Sequence, residues 1–168
     1  IPLGAVVVKE TIWDTIRKGS GAVVHGHTYS MNPLAMSIGA AVLKYVREHG
    51  LVKCSHDTGI YLLEQLNTLK DLKIVGDTRG IGMFCGIEFV KDKATKEPFD
   101  PSQKVNAMVF NAAFKRGLIT YPGSGCADGI SGDHTLVCPP FIIMKEQIDT
   151  LVNILREAIE EITEELGR

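Results

Sequence analysis

Apolar residues recur along this chain at two spacings, one near 3.6 and one of 2, and the two divide it into helices and strands. Ile148, Leu151, Val152, Leu155, Ala158, Ile159 and Ile162 form one stripe, with Glu160, Glu161, Glu164 and Glu165 on the opposite, wet side. That pattern predicts a helix over 145–166. Leu34, Ile38, Ala41, Val42, Tyr45 and Val46 predict another over 33–49. Asn32 is its expected N-cap, Pro33 takes the first position and Gly50 is the stop signal. A third stripe, Val52, Ser55, Gly59, Leu62, Leu63, Leu66 and Leu69, predicts a helix over 51–69. Val105, Met108, Val109 and Ala112 place a further one over 103–116, ended by Gly117. Ile12, Trp13 and Ile16 suggest a shorter one over 9–17, broken by Lys18-Gly19-Ser20-Gly21.

Period-two alternation dominates between Ile74 and Val90. Ile81, Met83, Cys85, Ile87 and Phe89 are all apolar, as a half-buried strand requires. Gly80, Gly82 and Gly86 thin the other face and allow close packing or a bulge. Short strands are expected at 118–121 and 135–137, and a strand or the entry to one in the apolar run Leu3–Val8, with Ala22–Val24 extended. Residues 91–101 read as a charged loop, and the glycine-rich 122–132 as a loop with little internal structure. Pro139-Pro140 precludes a central strand there. The order of elements predicts an α/β fold of α+β-like character. A small, mostly antiparallel sheet carries helices on one side and is preceded by a long helix.

Composition narrows the function classes. With 168 residues, 45% apolar and 23% charged, the chain has the make-up of an ordinary globular protein. A net charge of -2 with no basic stripe argues against nucleic acid as a partner. No apolar run approaches the roughly 18–20 residues of a membrane span. The start, Ile1-Pro2-Leu3-Gly4, has no basic n-region and reads as the middle of something longer. Cys54, Cys85, Cys126 and Cys138 form no C-x-x-C pair, so free thiols in a cytoplasmic setting are expected.

The chemistry concentrates in His25-Gly26-His27-Thr28-Tyr29-Ser30-Met31-Asn32-Pro33. Hydroxyl and N–H donors beside a positive helix end suit a phosphate, while the plainer reading is a polar loop before a capped helix. His25 and His27 lack a third and fourth ligand nearby, so no metal is expected. Gly80-x-Gly82-x-x-x-Gly86 has the wrong spacing for a dinucleotide fingerprint and lies inside a strand pattern. Arg79, close after Asp77, suits a carboxylate of substrate or protein, with a structural ion pair favoured.

Four ordered stretches carry a family likeness. They are Pro2-Leu3-Gly4-Ala5-Val6; Gly26-His27-Thr28-Tyr29-Ser30 with Asn32-Pro33-Leu34-Ala35; Asp77-Thr78-Arg79-Gly80-Ile81-Gly82-Met83 with Gly86-Ile87-Glu88; and Gly132-Asp133-His134 with Pro139-Pro140-Phe141-Ile142-Ile143. Together they resemble the C-terminal portion of class III, fold type I, pyridoxal-phosphate aminotransferases. The resemblance implies a remnant of the cofactor-binding large domain at 1–32, an interdomain helical region at 33–69 and a C-terminal small domain at 70–168. It implies that Thr28 binds the cofactor phosphate of the neighbouring subunit of a homodimer, with His27 near the cofactor. No catalytic residue is assigned within the chain.

The family's Schiff-base lysine belongs just before the stretch that is Pro2–Ala5 here, and Lys9 and Lys18 do not match it. The chain by itself is therefore expected not to transaminate. Some relatives bind an α-carboxylate through an arginine where Leu136 stands, and no Lys or Arg occurs from Gly117 to Met144. That departure favours an ω-amino acid or an amine as donor, with a 2-oxo acid such as pyruvate as acceptor. The alternative is a non-catalytic dimerisation or interaction domain derived from the same family. Adding pyridoxal phosphate discriminates the two through the absorbance band of the bound cofactor.

Overall fold

Leu62, Leu66 and Leu69 are each fully buried beneath one face of a four-stranded antiparallel sheet. They explain why α3 (Leu51–Asn67) and the 3-10 turn after it, Thr68–Asp71, lie where they do. The computed structural model describes residues 1–167. The chain falls into two compact units, Ile1–His49 and a second beginning at Gly50.

The second unit holds the sheet. A hairpin pairs β1 (Val75–Ile81) with β2 (Phe84–Phe89). Then come α4 (Val105–Lys115), β3 (Tyr121–Gly123), β4 (Asp133–Val137) and α5 (Lys145–Leu166). The sheet order is β1-β2-β4-β3 and every neighbouring pair is antiparallel. Cys85, Ile87 and Phe89 on β2 and Val137 on β4 face the core, with α3, α4 and α5 covering it. The stripe read from the α5 sequence is buried residue for residue. Each such aliphatic side chain contributes about 1.5–3 kcal/mol of burial free energy.

Two strand expectations and one loop expectation change. The alternation at 81–89 is not one strand, because Gly82, at φ 55, turns the chain between β1 and β2. Ile81 is therefore 85% exposed whereas Met83 is buried. The strand expected at 118–121 begins at Tyr121 and includes Pro122. Proline is tolerated there because β3 is an edge strand that needs no donor on its open side. Beyond it the glycine-rich loop does have internal structure. Asp128 accepts from the N–H groups of Ile130 (2.8 Å) and Ser131 (2.6 Å), which hold its carboxyl below the ordinary range.

Two contacts in this unit fix how helix meets sheet. The buried carboxylate of Asp133 accepts from the Val105 N–H at 2.9 Å, capping α4 across 28 residues of chain. Lys104, in the left-handed region at φ 51, offers that helix no side-chain cap of its own. Gly59 of α3 lies against the Gly82 backbone, so closely that a Cβ there would meet the Gly82 carbonyl at 2.5 Å. Gly59→Ala should gain about 1 kcal/mol of helix propensity and lose about 2–3 kcal/mol to overpacking against backbone that cannot rotate away. The expected net loss is therefore about 1–2 kcal/mol, read from the urea midpoint. A midpoint at or above the wild-type value would show that α3 can shift off the hairpin freely.

In the first unit, α1 (Glu10–Lys18) and α2 (Pro33–Glu48) form as the periodicity predicts. The expected strand at Leu3–Val8 does not form, and Ala22–Val24 lies outside any helix or strand. A strand needs a neighbour to take its N–H and C=O groups, and no strand lies within this unit. Ala35 is its one buried residue, and Leu34, Ile38, Val42 and Tyr45 of α2 are exposed. Among the described residues no helix is long and apolar enough to cross a membrane.

Candidate cofactor-phosphate loop and the open face of the sheet

Two consecutive turns shape the loop before α2. The Ser30 N–H donates to the His27 carbonyl (2.9 Å) and the Asn32 N–H to the Tyr29 carbonyl (3.2 Å), with Met31 in the left-handed region at φ 59. Asn32 caps the helix as its sequence predicts, accepting from the Leu34 and Ala35 N–H groups at 3.1 Å each. Pro33 has no N–H, and Met36 donates to the Asn32 carbonyl. The helix end therefore offers an anion no unpartnered N–H of Leu34, Ala35 or Met36.

The free donors lie one turn earlier. The N–H groups of Thr28 and Tyr29 and the Thr28 hydroxyl have no protein partner among the described residues, and both side chains are exposed. A hydroxyl and adjacent N–H groups are the donor set a phosphate takes, so the turn fits such a group. His27 shares a 2.8 Å Nε2–Nε2 hydrogen bond with His25, their rings meeting edge to face. His27 also borders a groove of about 690 Å³ that is lined by Pro2, Leu3, Tyr29 and Met31 among others, but not by Thr28. Among the described residues no group of three or more His, Cys, Asp or Glu is arranged to hold a metal.

The second site lies in the other unit, on the sheet face away from the helices. Arg79 Nη1 donates to Asp77 (3.0 Å) and to Glu88 (2.7 Å), and Lys70 pairs with Asp77 at 3.0 Å. The favoured ion-pair reading of Arg79 holds, and Glu88 raises the guanidinium's affinity for its proton further, with Asp77 adding to it. Its partnership with Glu88 is not legible from sequence spacing. Register explains why: Asp77 and Glu88 face each other across β1 and β2, and Arg79 sits one pair further along the same face. Arg79 and Glu88 edge a groove of about 410 Å³ floored by Gly86, with Leu136 and His134 on β4. The His134 ring packs on Gly123, and its Nδ1 is enclosed without a partner among the described residues.

Burial pushes the Asp77 carboxyl up, but the hydrogen bonds from Lys70 and Arg79 outweigh it and leave the group below its ordinary value. A carboxyl held low in the folded state adds stability that is present above its unfolded pKa. That stability is lost as pH falls through the lower folded value. Between about pH 4.5 and pH 2, Asp77→Asn should lose stability less steeply than wild type. Identical slopes would show that Asp77 contributes nothing to the acid limb.

Residues 1–159 match the class-III aminotransferase family. The uncharacterized aminotransferase YodT of Bacillus subtilis is 38% identical over 168 residues, covering 99% of this chain and 38% of that protein. The putrescine–pyruvate aminotransferase of Pseudomonas aeruginosa is 32% identical over 162 residues, 96% of this chain and 33% of its own length. The crystal structure of a transaminase from the marine bacterium Virgibacillus superposes with a TM-score of 0.84 at 31% identity, over 95% of this chain and 36% of that one. The chain thus spans less than two-fifths of these relatives. On the match over 159 of its 168 residues, the chain belongs to the class-III aminotransferase family.

Proposed function

We propose that the whole protein transfers an amino group from an ω-amino acid or amine to a 2-oxo acid such as pyruvate, using pyridoxal phosphate. The family match over residues 1–159 carries this reading. The choice of donor is supported by the apolar Leu136 on the open face of the sheet and by relatives that include the putrescine–pyruvate enzyme. The cofactor, when bound, supplies the electron sink that lets the donor carbon release its proton.

This chain's contribution is binding and positioning. The Thr28 hydroxyl and the Thr28 and Tyr29 N–H groups hold the phosphate of a neighbouring subunit's cofactor, with His27 beside it. Residues 1–32 complete the large domain, 33–69 form the interdomain helical region and 70–168 supply the small domain, whose open sheet face walls the substrate side.

The test is a donor panel on the full-length protein loaded with pyridoxal phosphate. Putrescine, 4-aminobutyrate and ornithine are each supplied with pyruvate, and alanine formation is read. Putrescine or 4-aminobutyrate should exceed ornithine. A preference for ornithine would reverse the donor assignment, and no alanine from any donor would overturn pyruvate-dependent transfer.

A further inference from the structure

The groove on the open face of the sheet contains an arginine only half committed to the protein. Both carboxylates that hold Arg79, those of Asp77 and Glu88, meet one nitrogen, Nη1. Nε and Nη2 have no partner among the described residues. They are the two nitrogens on the guanidinium edge that meets a carboxylate side-on with parallel N–H donors. The side chain is 59% exposed, and Arg79 lines the groove.

Apart from Glu88 and His134, the rest of the groove is lined by apolar side chains, glycines and cysteines and has room. Ile81 and Phe84 rise at its hairpin end and Leu136 lies across from them. Gly86 keeps the floor low without any backbone need. Its φ is not positive, and an added Cβ would meet only Leu136 at 3.5 Å and the Thr135 carbonyl at 3.8 Å. A volume of about 410 Å³ accommodates a single small molecule.

We propose that this groove binds a small carboxylate with an apolar body, the carboxylate on the Nε–Nη2 edge of Arg79 and the body over Gly86 between Phe84 and Leu136. Lys70 and Arg79 are balanced by Asp77 and Glu88, so the local charge sums to zero. Binding therefore rests on directed hydrogen bonds and apolar contact and discriminates by shape of the polar head. The groove lies on the face that walls the substrate side in the proposed function, but binding there needs no cofactor, so a failure to bind and a failure of amino transfer are read separately.

The experiment titrates 3-phenylpropionate into the full-length protein by calorimetry, with 3-phenylpropan-1-ol as the uncharged control. The acid should bind at least tenfold more tightly than the alcohol, the scale of a lost charge-assisted hydrogen-bond pair. Arg79→Lys keeps a cation for Asp77 and Glu88 but removes the fork, and should weaken the acid about tenfold while leaving the alcohol unchanged. Gly86→Leu leaves Arg79 intact and fills the floor, and should weaken both ligands by a similar factor, even if the Arg79 variant fails to fold. Equal affinity for acid and alcohol, or an acid affinity untouched by Gly86→Leu, would overturn the proposal.

Discussion

Replacing Thr28 with alanine in the full-length protein should cost roughly 10- to 150-fold in affinity for pyridoxal phosphate. The figure is the worth of one hydrogen bond to a charged group, about 1.5–3 kcal/mol, converted at tenfold per 1.4 kcal/mol. The substitution removes the Thr28 hydroxyl and leaves the N–H groups of Thr28 and Tyr29 in place, since neither depends on that side chain. Asn32 should still cap α2, because its bonds to Leu34 and Ala35 do not involve Thr28. Affinity should fall more than the rate at saturating cofactor. Equilibrium dialysis and activity titration read the two quantities separately.

The effect should also act across the dimer. In a mixed dimer, one subunit has its cofactor lysine replaced and the other bears Thr28→Ala. The intact lysine then belongs to the Thr28→Ala subunit, whose phosphate meets the unmodified Thr28 of its partner. That site should keep cofactor as wild type does. Retention as weak as in the Thr28→Ala homodimer would show that Thr28 acts within its own subunit or only shapes the loop.

Asp133→Ala should destabilise the sheet-bearing unit by about 2–3 kcal/mol. The side chain is 5% exposed and its Oδ2 accepts from the Val105 N–H. Removing it uncaps α4, which costs about 0.5–2 kcal/mol, and leaves a buried N–H without a partner, which costs about 1–3 kcal/mol. The two overlap, since both count the same donor, so the sum lies below their total. Asp133→Asn keeps an acceptor and loses only the charge facing a helix N-terminus, about 0.3–1 kcal/mol. Urea unfolding should show a lowered midpoint at unchanged slope for both variants, with alanine the worse. Equal midpoints for alanine and asparagine would mean the hydrogen bond to Val105 contributes nothing.

Asp133 also marks the limit of local reading. A cap is legible when donor and acceptor are neighbours, as with Asn32 and the Leu34 and Ala35 N–H groups. Here cap and helix are 28 residues apart and meet only because β4 runs beside the start of α4. The Arg79 partnership with Glu88 is of the same kind, set by the register of β1 on β2.

The sequence by itself determined the helices, because a side-chain period of 3.6 needs no knowledge of the partner surface. The buried stripe of α5, the Asn32 cap and the Gly50 stop at φ 61 follow from residues a few positions apart. The four ordered motifs likewise sufficed for the family. Only the tertiary structure decided the strands, whose hydrogen bonds need a second strand. The alternating run at 81–89 became a hairpin at Gly82, while Leu3–Val8, equally apolar, has no strand beside it and forms none. It also decided where free donors lie. Asn32 and the chain's own carbonyl occupy the helix end, and the unpaired donors of the loop include the N–H groups of Thr28 and Tyr29 and the Thr28 hydroxyl.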